Sequence, residues 1–128
     1  MDGRIVPDGL FASRPWYLSF FEDTTTVQFT HRVLALATLA AVIVFRWRVS
    51  AWGNTAPGAR RAADWLCGWA FVQVALGIAT LLLVVPVSLG SLHQAGAIVL
   101  WTLALWTTYR FWAGPEALPV AGRRVATR

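Results

Sequence analysis

Three stretches without a charged residue, 33–45, 65–85 and 88–109, constrain this chain more than anything else in it. Backbone N–H and C=O groups find no water inside hydrocarbon, so an apolar run of this kind crosses a bilayer as a helix. A hydrocarbon core about 30 Å thick takes about 20 residues. The second and third stretches reach that length unaided, and the first reaches it by taking in the turns at 26–32. The spacing predicts three transmembrane helices, over 26–47, 62–85 and 88–112. With 57% of its residues hydrophobic and 13% charged, the chain is too apolar for a soluble domain of 128 residues. The expected fold is an all-α integral membrane protein. Its three transmembrane helices make an incomplete four-helix bundle with one groove open.

The charges orient these helices. Every Lys or Arg position is arginine, and the formal net charge is +5. In a soluble chain that balance would suggest nucleic acid. Here Arg46, Arg48, Arg60 and Arg61 flank the connection between the first two spans, and Arg110, Arg123, Arg124 and Arg128 lie at or past the end of the third. Glu22 and Asp23 precede the first span, and the turn between the second and third carries no charge. Arginine collects on the cytoplasmic side of membrane proteins. The chain is therefore expected to be multi-pass in the cell inner (cytoplasmic) membrane, with its N-terminus outside and its C-terminus in the cytoplasm. Membrane lipid, not nucleic acid, is the expected partner of the basic tail.

Three regions follow. Residues 1–25 form an outer-side lead broken by Pro7, Gly9 and Pro15, and its segment PWYLSFF, 15–21, suits the interface, where Trp and Tyr gather. That segment can anchor the lead in lipid, the simpler reading, or cover a site as a lid. Residues 26–112 are the three-helix transmembrane domain, with a polar loop at 49–61 and a tight turn at Pro86. Residues 113–128 are the basic cytoplasmic tail. The lone cysteine, Cys67, lies within the second span and is read as a small apolar residue. Residues 1–20 lack the apolar centre of a cleavable signal peptide.

One feature does not suit a plain membrane span. His31 and Arg32 stand side by side near the entrance of the first, and ionisable groups within a membrane segment mark a site by default. The chain has one other histidine, His93, in the third span. The first and third spans run the same way, and each histidine lies five residues in, roughly 7–8 Å along the axis. Two imidazoles thus sit at one depth, near the outer face. Ala35, Thr38 and Val42 share the face of His31; Gly96, Ala97 and Leu100 share that of His93; the second span offers the stripe Ala70, Gln73, Gly77 and Thr80. Small residues there suit close helix packing or room for a flat ligand. Zinc wants three or four ligands, and no Cys or carboxylate is placed to complete the set. Haem iron takes one or two axial ligands, commonly His. The metal expected at His31 and His93 is therefore haem iron. The competing reading is that each histidine simply bonds one helix to another.

Two neighbours join the candidate site. Arg32 can snorkel to the outer interface or pair with haem propionates. Gln28, one turn before His31, can hydrogen-bond the ring or a ligand. Gln94 adjoins His93 in sequence but points about 100° away, toward helix packing.

At this point the sequence resembles a family. VQFTHRVLA (27–35), QVALGIATLLLVVPVSLGSLHQAGAIVL (73–100), and the lead MDGRIVPDGLF with PWYLSFFE are similar to the C-terminal half of haem A synthase. The HR pair opening one helix and the LGI–T–L–VP–HQ–A pattern across the next two are specific together. The resemblance implies an eight-helix enzyme of two similar halves, each with a histidine pair. Such an enzyme oxidises a methyl group of haem o to the formyl group of haem a for terminal oxidase assembly. It implies that His31 and His93 ligate a haem b cofactor, that Arg32 and Gln28 lie beside it, and that haem o is oxidised in the N-terminal half. The last three helices alone are then not active, and their partners are the missing N-terminal half or another copy. Met1 would be an internal residue of the longer chain. Gln28 stands where the N-terminal half commonly has a glutamate. An amide cannot exchange a proton as a carboxylate can, which argues against proton handling here.

Two other functions use the same residues: a small bis-histidine membrane cytochrome b for electron transfer, and a cofactor-free structural membrane protein.

Overall fold

The computed structural model describes residues 6–113 and divides within one helix, between Ala41 and Val42, into two units. Among the described residues all regular structure is helical: a 3-10 turn, Trp16–Leu18, then α1 (Ser19–Glu22), α2 (Thr24–Ala51), α3 (Pro57–Leu82) and α4 (Val87–Trp112). The last three are long and apolar enough to cross a membrane. The expectation of three spanning helices holds, with their ends moved by a few residues.

In the first unit the lead is built onto the start of α2. Asp23 has extended backbone (φ −89°, ψ 108°) and caps the helix. Its carboxylate accepts from the N–H of Thr25 (3.1 Å), the N–H of Thr26 (3.3 Å) and the Thr26 hydroxyl. Those backbone donors have no partner inside the helix, which is why Asp is favoured there. Thr26 is fully buried because its Oγ1 also accepts from the N–H of Phe11, 3.1 Å away. Ser19, equally buried, accepts from the N–H of Ser13 at 3.0 Å. Phe11, Trp16 and Phe20 meet edge-to-face, with centroids 5.2–6.5 Å apart, yet stay exposed.

The second unit is organised by an antiparallel pair. On α3 the shielded residues Ala63, Leu66, Ala70, Gln73, Gly77 and Thr80 recur at alternating steps of three and four. On α4 Leu89, His93, Gly96, Leu100, Leu103 and Thr107 do the same. This is the spacing by which two helices share a seam. Lipid is as apolar as leucine, so contact rests on small residues and interhelical hydrogen bonds. Three such bonds run up the seam. The Thr107 hydroxyl donates to the Ala62 carbonyl (3.2 Å), Trp69 Nε1–H to the Gly96 carbonyl (2.9 Å), and the Gln73 amide to the His93 carbonyl (2.7 Å). At the base of the pair the Arg110 guanidinium lies across Gly58, where a Cβ would collide with it.

Three helix ends differ from expectation by three residues or more: α2 runs on to Ala51 rather than 47, and α3 is displaced at both ends. α3 begins at Pro57 rather than 62, because proline suits the first helical turn, where its missing N–H costs nothing. The polar loop therefore shrinks to 52–56. α3 ends at Leu82 rather than 85. Val85 N–H bonds back to the Thr80 carbonyl (2.8 Å) and Val84 N–H to that of Leu81 (3.3 Å), a Schellman ending. It requires left-handed backbone, and Val84 (φ 61°) and Val85 (φ 55°) adopt it despite their branched side chains. Pro86 then caps α4.

Candidate haem-binding site

Gln28, His31 and Arg32 lie on consecutive turns of α2 in the first unit. Gln28 and Arg32 are half-buried, and His31 is exposed. His31 stands seven residues after Thr24, about 10 Å along α2. His93 stands six residues after Val87, about 9 Å along α4. Each histidine therefore lies about two turns into its own helix, slightly deeper than the sequence suggested, because both helices start earlier. His31 and His93 fall in different units.

His93 is the better-defined of the two. It occupies the α3–α4 seam, half-buried, and two residues of α3 hold it. The Gln73 amide nitrogen lies 3.3 Å from ring atom Nδ1 and donates to the His93 carbonyl. Gly77 faces the ring edge: a Cβ there would stand 3.0 Å from Cε1. Gly96, one turn on, clears the Gln73 side-chain oxygen, which a Cβ at that position would strike. Gln73 is 8% exposed, and that oxygen, Oε1, is buried without a hydrogen-bond partner. Of the small residues expected beside His93, Gly96 is buried and Leu100 is on the seam, but Ala97 is exposed. Gln94 is exposed as well.

Gln73 is the residue that sequence reasoning passed over. It stood on the stripe Ala70, Gln73, Gly77 and Thr80 with no role assigned. The signal was present, since a polar amide in a membrane helix needs a partner. The turn at 83–86 also sets which residues meet: Gly77, six residues before it, comes to lie against His93, seven residues after it.

The described arginines of the second unit gather at one end. Arg46 pairs with Asp64, and also donates to the Ser50 hydroxyl. Arg110 and Phe111 line an open cleft with Trp52, Asn54, Thr55, Ala56 and Ala59. The opposite end, the turn at 83–86, has no charged residue.

Residues 1–105 match the family model COX15-CtaA, described as cytochrome oxidase assembly protein. The chain belongs to this family. Over 109 residues it is 47% identical to "Heme A synthase" of Nitrosospira multiformis, covering 85% of this chain and 30% of that protein. It is 44% identical over 110 residues to the protein of the same name from Parvibaculum lavamentivorans, covering 86% of this chain and 30% of that one. With "Heme A synthase COX15" of Arabidopsis thaliana it shares 45% over 100 residues, 78% of this chain and 22% of the plant protein. The chain thus spans about a third or less of the length of these curated relatives. No solved structure matches it. Three long apolar helices in a membrane family make it a multi-pass membrane protein.

Proposed function

We propose that this chain is the haem b-binding, C-terminal part of a haem A synthase, the membrane oxidoreductase that converts a methyl group of haem o to the formyl group of haem a. The similarity to proteins named heme A synthase over 78–86% of the chain carries this reading. His31 and His93 are its axial ligands. Arg32 pairs with a propionate, and Gln28 lies beside it. Haem o is the substrate of the complete enzyme, and the chain alone does not oxidise it. Its partner in the membrane is the N-terminal half of such an enzyme or another copy. The distribution of arginines in the sequence supports an N-terminus outside the inner membrane and a C-terminus in the cytoplasm. The gathering of Arg46, Arg48, Arg60, Arg61 and Arg110 about one end of the second unit supports that orientation.

The residues around His93 suit a haem iron. Imidazole is its commonest nitrogen donor, and among the described residues no three His, Cys, Asp or Glu side chains converge to make a competing metal centre. Gly77 leaves open the space that a side chain would take from the ring. The Gln73 amide nitrogen faces the ring, while its buried oxygen lies against Gly96. A haem, when bound, would supply one-electron redox chemistry. The residues that would hold it are His31 and His93, with Arg32 to neutralise a propionate.

The test is spectroscopic. The detergent-solubilised chain, loaded with haem b, should show a low-spin Soret band that His31→Ala and His93→Ala each abolish. A low-spin spectrum surviving both substitutions would mean that other residues hold the iron. The Gln73–His93 hydrogen bond also suits a cofactor-free protein in which His93 only joins two helices. That reading predicts no Soret band in the unsubstituted chain.

A further inference from the structure

We propose that the cleft at the arginine-rich end of the second unit is a binding site for the phosphate of an anionic membrane lipid, held by Arg110. The cleft measures about 370 Å³. Arg110 and Phe111, from the end of α4, line it together with Trp52, Asn54 and Thr55 of the α2–α3 connection. Arg110 is half-buried, and its guanidinium lies across Gly58 in the first turn of α3. Between residues 42 and 113, Arg46, Arg48, Arg60, Arg61 and Arg110 face one carboxylate, Asp64, and Arg46 takes it. Arg110 is thus a partly desolvated cation, and its unit has no second described carboxylate to pair with it. The turn it lies on has no acidic residue and no side-chain cap. The positive end of a helix repels a cation laid against it. An anion seated in the cleft offsets both charges.

The lining of the cleft chooses among anions. A guanidinium fork meets two phosphate oxygens at once, and Asn54 adds an exposed amide at the rim. The loop that carries Asn54 is fixed, because the Thr55 hydroxyl donates to the Trp52 carbonyl at 3.0 Å. Next to these polar groups stand Trp52 and Phe111, and Phe111 meets Phe45 edge-to-face with centroids 5.4 Å apart. Trp47, Trp52 and Trp112 at this end are largely exposed, as aromatic residues at a membrane interface are. The guanidinium therefore stands at headgroup depth, with apolar surface beside it for acyl chains. Free phosphate would use the first feature and waste the second. A zwitterionic headgroup would bring a cation into a surplus of arginine, whereas basic pockets between spanning helices suit anionic ones. Arg110 lies seventeen residues past His93, about 25 Å along α4, out of reach of a haem held there. The site is therefore independent of the haem reading.

The experiment titrates the detergent-solubilised full chain with phosphatidylglycerol, phosphatidylcholine and inorganic phosphate, and follows the bound molecules by native mass spectrometry. One phosphatidylglycerol should bind about 10-fold tighter than phosphatidylcholine, and inorganic phosphate at equal concentration should not displace it. Arg110→Gln should weaken phosphatidylglycerol binding about 10-fold, the size of a lost hydrogen bond to a charged group. Arg61→Gln removes an exposed arginine outside the cleft and should leave binding within about twofold. Equal losses in the two variants would mean diffuse attraction to a basic surface, and the proposal falls. It falls as well if phosphatidylcholine binds equally tightly. Inorganic phosphate matching phosphatidylglycerol would make the cleft a site for the free anion and overturn the lipid assignment. Should Arg110→Gln fail to fold by far-UV circular dichroism, Arg110→Lys decides alone. It keeps the charge and loses the fork, so binding should drop several-fold, and unchanged binding overturns the proposal.

Discussion

Gly77 and Gln73 act on one imidazole from the same helix, four residues apart, and this makes a glycine specific. A Cβ at Gly77 would lie 3.0 Å from Cε1 of His93, closer than van der Waals contact allows, and the Gln73 bond keeps the ring from simply moving aside. Gly77→Ala is therefore expected to weaken haem b binding several-fold while far-UV circular dichroism stays unchanged. Gly68→Ala on the same helix is the control, since nothing stands within 4 Å of the added Cβ. It should bind haem b as the unsubstituted chain does. Equal behaviour of the two variants in a haem titration would show that Gly77 leaves the ring no needed room. His93 itself was legible as a candidate from the sequence. The crowding that makes its neighbours matter was not, because it depends on which residue of α3 comes to lie across from it.

The helix ends carry chemistry of their own. α3 closes in a Schellman turn with Val84 and Val85 left-handed, where a branched residue costs about 1–2 kcal/mol and glycine is usual. Val84→Gly should raise the stability of the detergent-solubilised chain by about 1 kcal/mol, part of the relief being offset by the freer unfolded chain. A lower thermal midpoint in that variant would contradict the left-handed turn. At the start of α2 the hydrogen bond from the Thr26 hydroxyl, with those from the backbone of Thr25 and Thr26, holds the Asp23 carboxyl below the usual carboxylate range against a small desolvation cost. A carboxyl depressed in the folded state stabilises it above the ordinary value of about 4 and loses that effect as pH falls through the lowered one. The first turn of α2 is expected to loosen only in acid below about pH 4. NMR shifts of the Thr25 and Thr26 amides should report this, and Asp23→Asn, which caps without ionising, should flatten the response. The sequence showed helix interiors well and ends poorly. No glycine marks the stop at Leu82, and the proline at 57 that starts α3 reads equally as loop.

At the scale of the molecule, α3 and α4 form a well-joined antiparallel pair, and each of the three long helices exposes large apolar side chains, among them Leu34, Leu36, Ile78 and Ile98. In water such a surface would aggregate; in lipid it is the solvated side. What holds the pair is a short ladder of polar contacts, each worth about 0.6 kcal/mol on average in a membrane, over a stripe of small residues. The sequence by itself determined the class, the number of spans and the two histidines, because apolar run length is set by bilayer thickness and imidazole is scarce in membrane helices. Only the tertiary structure decided that His93 lies in the α3–α4 seam, held by Gln73 and cleared by Gly77. That pairing depends on where a tight turn ends one helix and begins the next, and a left-handed valine leaves no mark in a sequence.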